Sequence, residues 1–148
     1  AQTRPNAFEP QRANPSDAGL DVFYSPEQED QAICIEPSES KVIPTGLRFG
    51  VPHGYMLEVK NRSSVAAKRS LIVGACVVDS GYDGEVFVNL HNIGKETQYV
   101  RSGDKIAQLV MIPVVNFRAT QSTSGDLYRN PITISDRGDG ALGSTDND

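Results

Sequence analysis

Along the chain, short apolar runs alternate with turn-forming residues: GLDVFY, AICIE, LRFGV, GYMLEVK, LIVGACVV, GEVFVNLHN and KIAQLVMIPVV. Runs of this length and spacing predict an all-β sandwich or barrel. Two of them alternate clearly. Tyr55, Leu57 and Val59 interleave with Glu58 and Lys60, and Val86, Val88 and Leu90 interleave with Glu85, Asn89 and His91, so each strand should bury one face and wet the other. Only Ser64–Arg69 (SVAAKR) reads as helix, two turns at most, and the preceding RSS offers a serine to cap it. After Phe117 the pattern ends. Ala119–Pro131 is polar and turn-rich, and from Asp136 onward three glycines accompany almost nothing to bury. The division expected is a core over residues 1–131 and a flexible C-terminal arm over 132–148.

Composition narrows this picture. A chain of 148 residues suits one compact domain, and an apolar fraction of 38% with no Trp suggests that part of the burial comes from association. A net charge of -5 argues against stable nucleic-acid binding, which draws on clustered Lys and Arg. An anionic ligand would need local basic groups or a metal. Cys34 and Cys76 form no CxxC or Cys/His cluster, so neither a disulfide framework nor a zinc site is expected. No apolar run approaches the ~20 residues that span a bilayer, and no signal-like segment opens the chain. A soluble intracellular protein without membrane attachment is expected, cytoplasmic or, in a eukaryotic or viral setting, nuclear.

Candidate chemistry lies in the connections. DSGYDG, from Asp79 to Gly84, reads locally as a hairpin, yet it puts an acid at the end of the apolar pair Val77–Val78. NRSS offers a guanidinium and two hydroxyls, which suit either a phosphate or a helix start. SGDKIAQLV is a turn and strand carrying a polar Gln108. RGDGALGST is a glycine-rich segment with Arg137 and a Ser-Thr pair, compatible with wrapping phosphates or with an ordinary tail. His53 and His91 have no acid or nucleophile beside them in sequence and are given no role.

Five segments stand in one register: PSDAGLDVF, NRSSVAAK, GACVVDSGYDGEV, GDKIAQLV and RGDGALGST. In this order, from about Pro15 to Thr145, the chain resembles the trimeric dUTP diphosphatase (dUTPase) family. The resemblance implies a distorted jelly-roll β fold and a homotrimer with shared active sites. It also implies hydrolysis of dUTP to dUMP and pyrophosphate with Mg2+, which limits uracil incorporation into DNA and supplies dUMP for dTMP synthesis. On this likeness Asp79 is the general base, and an ionised carboxylate can accept the proton of the attacking water. Tyr82 packs against the deoxyribose and leaves no room for a 2′-hydroxyl. The hairpin from Gly74 to Gly84, with Gly74, Cys76 and Val78, reads the uracil edge. Asp21 helps to hold the hydrated magnesium through water. Arg62, Ser63, Ser64 and Gln108 contact the phosphates, and Arg137, Leu142, Gly143, Ser144 and Thr145 close over the nucleotide of a neighbouring subunit.

The chain departs from the family pattern in a few places. Ala141 and Leu142 stand where Gly-Phe is usual, and leucine cannot stack on a base as a ring does. Asn61 replaces the usual proline before Arg62. The chain starts close to the first motif, so a shortened or rebuilt first strand is expected. Two alternatives accompany the resemblance. One is dCTP deaminase, which shares the fold but needs a glutamate where this chain has Asn89. The other is a nucleotide-binding regulator on the same scaffold that has lost turnover.

Overall fold

A computed structural model describes residues 1–28, 31–123 and 125. Within them the chain forms nine strands and one helix: β1 (Leu20–Phe23), β2 (Ile33–Ile35), β3 (Ser40–Pro44), β4 (Tyr55–Lys60), α1 (Ser63–Arg69), β5 (Leu71–Val73), β6 (Val77–Val78), β7 (Phe87–Asn92), β8 (Gln98–Val100) and β9 (Lys105–Pro113). All strand pairs are antiparallel, in three sheets ordered β1-β9-β4-β6, β2-β8 and β3-β7-β5. The alternating pattern predicts a sandwich or barrel, and the arrangement is the jelly-roll sandwich that the family resemblance implies. One core draws on all three sheets: Val22, Leu57, Val59, Val78 and Leu109 from the first, Ile35 and Val100 from the second, and Ile43, Leu71, Val88 and Leu90 from the third.

The period-two pattern settles which face each strand buries. In β7, Val88, Leu90 and Asn92 are buried while Phe87, Asn89 and His91 lie on the outer face. Asn92 is a polar residue in the core whose side chain is fully used. Its Nδ2 donates to the carbonyls of Ile35 (2.9 Å) and Glu96 (2.8 Å), and its Oδ1 accepts from the Gly94 N–H (3.0 Å). It joins the end of β7 to β2 without an unpaired buried group. In β4, Leu57 and Val59 are buried as expected, but Tyr55 at the strand end is 43% exposed.

Two details differ from expectation. The helix starts at Ser63, with Arg62 as its N-cap in an extended conformation and no side-chain cap. Ser63 and Ser64 are therefore its first helical residues, and no serine caps it. Its only buried residue is Val65, its basic pair Lys68 and Arg69 occupies the last turn, and Ser70 closes it in the left-handed conformation. The LRFGV run forms no strand and pairs only through the isolated bridge of Leu47 with Gln2; Leu47 and Val51 still enter the core. Ahead of β1 the described residues pair only through the isolated bridges Gln2–Leu47 and Gln11–Asp21, in keeping with the shortened first strand expected.

By proximity the chain divides into two units at Asn116/Phe117. In the second, residues 117–123 and 125 are exposed and form neither strand nor helix. The expected boundary at 131/132 lies outside the described residues.

Candidate active site

The hairpin that follows β5 answers why an apolar strand ends on an acid. Val78 is buried opposite Leu57, and Val77 lies opposite Glu58 on the outer face. Alternation then sends Asp79 outward, where it is exposed. The chain reverses at once: the Tyr82 N–H donates to the Asp79 carbonyl at 3.2 Å, with Gly81 supplying the positive φ (+88°) at the third turn position. The Tyr82 hydroxyl donates to the Glu85 carbonyl at 2.8 Å. Its ring lies over Gly84, where a Cβ would come within 2.5 Å of the hydroxyl oxygen. Val77, Val78, Asp79, Tyr82, Glu85, Val86 and Phe87 line a cavity of about 230 Å³.

Upstream, the Gly74 N–H donates to the Asn89 carbonyl at 2.9 Å, extending the β5–β7 pairing. A side chain at Gly74 would collide with Asn89 Oδ1 (2.3 Å) and His91 Nε2 (2.4 Å), which are 2.8 Å from each other. The Cys76 carbonyl accepts from the Val59 N–H at 2.7 Å. Gly74, Cys76, Val78, Asp79 and Tyr82 thus belong to one continuous segment braced by β4 and β7.

A second cleft, of about 180 Å³, is lined by Ala13, Asp17, Gly19, Asp21, Arg62, Ser63 and Gln108. Asp21 faces Gln108 across the β1–β9 ladder. Its Oδ1 accepts from Arg62 Nε (2.8 Å) and its Oδ2 from Lys105 Nζ (3.0 Å). Arg62 and Lys105 thus balance the charge of Asp21 and of Asp17, the second carboxylate lining the cleft. Gln108 Nε2 donates to the Asn61 carbonyl (2.8 Å), and Gly19 is needed because a Cβ there would meet Gln108 Oε1 at 2.2 Å. Asn61 Oδ1 accepts from the Val73 N–H at 2.7 Å. Ser64 follows on the exposed side of α1.

The residues singled out in sequence thus fall into two groups, with Asp79 and Tyr82 in one and Asp21, Arg62, Ser63 and Gln108 in the other. The groups are far apart. In register, Asp21 aligns with Lys60 of β4 through Gln108, whereas Asp79 continues from Val78 to a level with Met56. Three strand spacings of ~4.8 Å and four residues of ~3.3 Å put the two Cα atoms roughly 20 Å apart. Arg137, Leu142, Gly143, Ser144 and Thr145 lie outside the described residues. Among the described residues no group of three or more His, Cys, Asp or Glu is placed to hold a metal. Sequence reasoning gave no role to Lys105, although it stands three positions before Gln108 in the same motif, nor to Arg4 and Glu85, which meet across 81 positions.

An antiparallel jelly roll with a strand-end carboxylate beside an aromatic wall, and a separate cleft around Asp21, Arg62 and Gln108, defines a β-sandwich protein with two polar surface clefts. More specifically, the chain belongs to the dUTPase family, whose family model matches residues 6–145. A deoxyuridine 5'-triphosphate nucleotidohydrolase of Desulfitobacterium hafniense (strain DSM 10664 / DCB-2) is 39% identical over 140 residues, covering 92% of this chain and 85% of that protein. One from Desulfotalea psychrophila is 37% identical over 130 residues, covering 86% and 80%. Among solved structures, a variant dUTPase of Staphylococcus bacteriophage 80alpha with dUpNHpp superposes with a TM-score of 0.77 at 26% identity, covering 98% of this chain and 95% of that one. A variant dUTPase from phage phi11 of S. aureus, solved to show the coordination of a structural Mg(II) ion, gives 0.75 at 26% identity, covering 85% and 96%.

Proposed function

We propose that this protein hydrolyses dUTP to dUMP and pyrophosphate. The observation that carries the reading is Asp79: an exposed carboxylate, fixed by the pairing of the two residues before it, on the wall of the cavity that Tyr82 also lines. Asp79 takes a proton from a water molecule as the water oxygen attacks the α-phosphorus, and pyrophosphate leaves with the bridging oxygen. The Tyr82 ring stands against the sugar and excludes a 2′-hydroxyl. The hairpin backbone meets the uracil edge; Cys76 has its N–H to offer, its carbonyl being taken by Val59. Arg62, Ser63, Ser64 and Gln108 bind the phosphates, with Arg62 aimed by Asp21. Arg137, Leu142, Gly143, Ser144 and Thr145, in an arm of residues 132–148, close over the nucleotide.

The residues present suit magnesium in one way only. Both Asp21 oxygens already accept from cations, so Asp21 can serve the ion through water, while the phosphates supply its direct oxygen ligands. When bound, the ion neutralises phosphate charge as it develops.

A homotrimer with shared sites is part of the same reading. Two half-sites roughly 20 Å apart on one sheet are too distant to grip one nucleotide, whereas half-sites from two copies can face each other. Exposed Val42, Val77, Phe87 and Met111 give the core further apolar surface to bury on association. No helix among the described residues is long and apolar enough to cross a membrane. The deaminase alternative is disfavoured by Asn89, an amide that cannot take up a proton at neutral pH.

The test offers dUTP, dCTP and UTP with magnesium and assays pyrophosphate and ammonia separately. Pyrophosphate from dUTP alone is expected. Ammonia from dCTP would replace this reading with the deaminase, and binding of dUTP without either product would replace it with a regulator.

A further inference from the structure

The loop that carries Tyr82 is anchored by a residue near the chain start, 78 positions away. Arg4 grips Glu85 at two points, Nη2 to Oε1 at 2.6 Å and Nη1 to Oε2 at 3.2 Å, while its Nε and Nη2 also donate to the Ser25 carbonyl at 3.3 and 3.1 Å. Both side chains of the pair are about one-seventh exposed, at 15% and 14%. Glu85 Oε1 further accepts from the Gly46 N–H (2.8 Å), and Oε2 from the Thr3 hydroxyl (3.3 Å). One residue on, the Val86 carbonyl accepts from the buried Thr45 hydroxyl (2.6 Å), and the Val86 N–H donates to the Leu47 carbonyl (2.8 Å). The Glu85 main chain is therefore held from several sides, and its carbonyl is the acceptor on which the Tyr82 hydroxyl rests. The ring itself is 46% exposed, so this bond, together with the bare Gly84 beneath the ring, fixes its orientation.

We infer that the Arg4–Glu85 pair is a positioning device for sugar discrimination: it sets the height of the Glu85 carbonyl, hence the tilt of Tyr82, hence the clearance left for a 2′-hydroxyl. The inference rests on the reading of Tyr82 as the wall against the deoxyribose. Excluding one hydroxyl by contact demands a wall fixed to a fraction of an ångström, which an exposed ring on a glycine-flanked turn does not provide unaided. A bidentate, largely dry ion pair with extra backbone donors is the kind of contact that holds such a tolerance.

The test is a double-mutant cycle on the full chain, reading kcat/KM for dUTP and for UTP in the wild type, Arg4→Gln, Tyr82→Phe and the double variant. Arg4→Gln should lower the dUTP-over-UTP ratio about tenfold, chiefly by improving UTP. Tyr82→Phe keeps the ring but not the hydroxyl, so in its background the Arg4 substitution should change the ratio little further. Glu85→Gln removes the charge and keeps an acceptor for Gly46; it should reproduce the Arg4→Gln ratio in a protein whose circular dichroism matches the wild type. A purely structural role would lower thermal stability and leave the ratio alone, and that result overturns the inference. Equal effects of Arg4→Gln with and without the Tyr82 hydroxyl overturn it as well. Absence of dUTP turnover in the wild type instead rejects the activity on which the inference rests.

Discussion

Asn61 Oδ1 accepts the Val73 backbone N–H at 2.7 Å, tying the end of β4 to the last residue before the hairpin that carries Asp79. The Asn61 carbonyl accepts Gln108 Nε2, so one residue links the hairpin strand to the cleft around Asp21 and Arg62. Asn61→Ala removes this solvent-accessible bond and should cost about 0.5–1 kcal/mol. A lower urea midpoint with an unchanged slope is the expected result, and a midpoint equal to wild type would show that water replaces the amide without loss.

Asp79 lies outside the core, so its charge can be removed without disturbing packing. Asp79→Asn should fold and associate like wild type and lose dUTP turnover by about 10³-fold, within the usual range for removing a general base. Single-turnover pyrophosphate release measures it. A loss below tenfold would reject the assignment.

Tyr82→Ala removes the wall itself. UTP hydrolysis should rise relative to dUTP by at least tenfold, while melting changes little because the ring is largely outside the core. An unchanged ratio would take the sugar-sensing role from Tyr82.

The Cys34 thiol is held above its ordinary pKa. Burial pushes its pKa up first, and the hydrogen bond and charge of Glu36, 3.3 Å away, push it further in the same direction, with Glu39 adding to the effect. A raised pKa means less thiolate at a given pH. Iodoacetamide should label Cys34 more slowly at pH 8 than it labels a free cysteine peptide, and Glu36→Gln should speed the labelling. Equal rates for protein and peptide would contradict this.

Much of the scaffold was legible because it depends on local alternation. Leu57, Val59, Val88 and Leu90 face the core as their period requires. The motifs named Asp79, Tyr82, Asp21, Arg62, Ser63 and Gln108, which line clefts, but not their division between two of them, since register across β1, β9, β4 and β6 is a long-range property. Tyr55 alternates correctly and still shows half its ring to solvent, because the strand ends there. NRSS looked like a capped helix start, yet Arg62 occupies the N-cap position and its Nε is engaged by Asp21, 41 positions away. Arg4 and Glu85 carried no signal at all, because nothing in the spacing of two opposite charges 81 positions apart announces that they touch.

The separation of the two clefts bears on what happens when damaged and intact chains mix. If each chain lends Asp79 to one site and Arg62 to another, two inactive proteins carry complementary defects. Co-refolding Asp79→Asn with Arg62→Ala in equal amounts should restore about a quarter of the sites, since random trimers contain one intact pairing in each mixed assembly. The same arithmetic would make a faulty chain costly to its neighbours: in the proposed trimer a single doubly defective copy would silence two of the three sites.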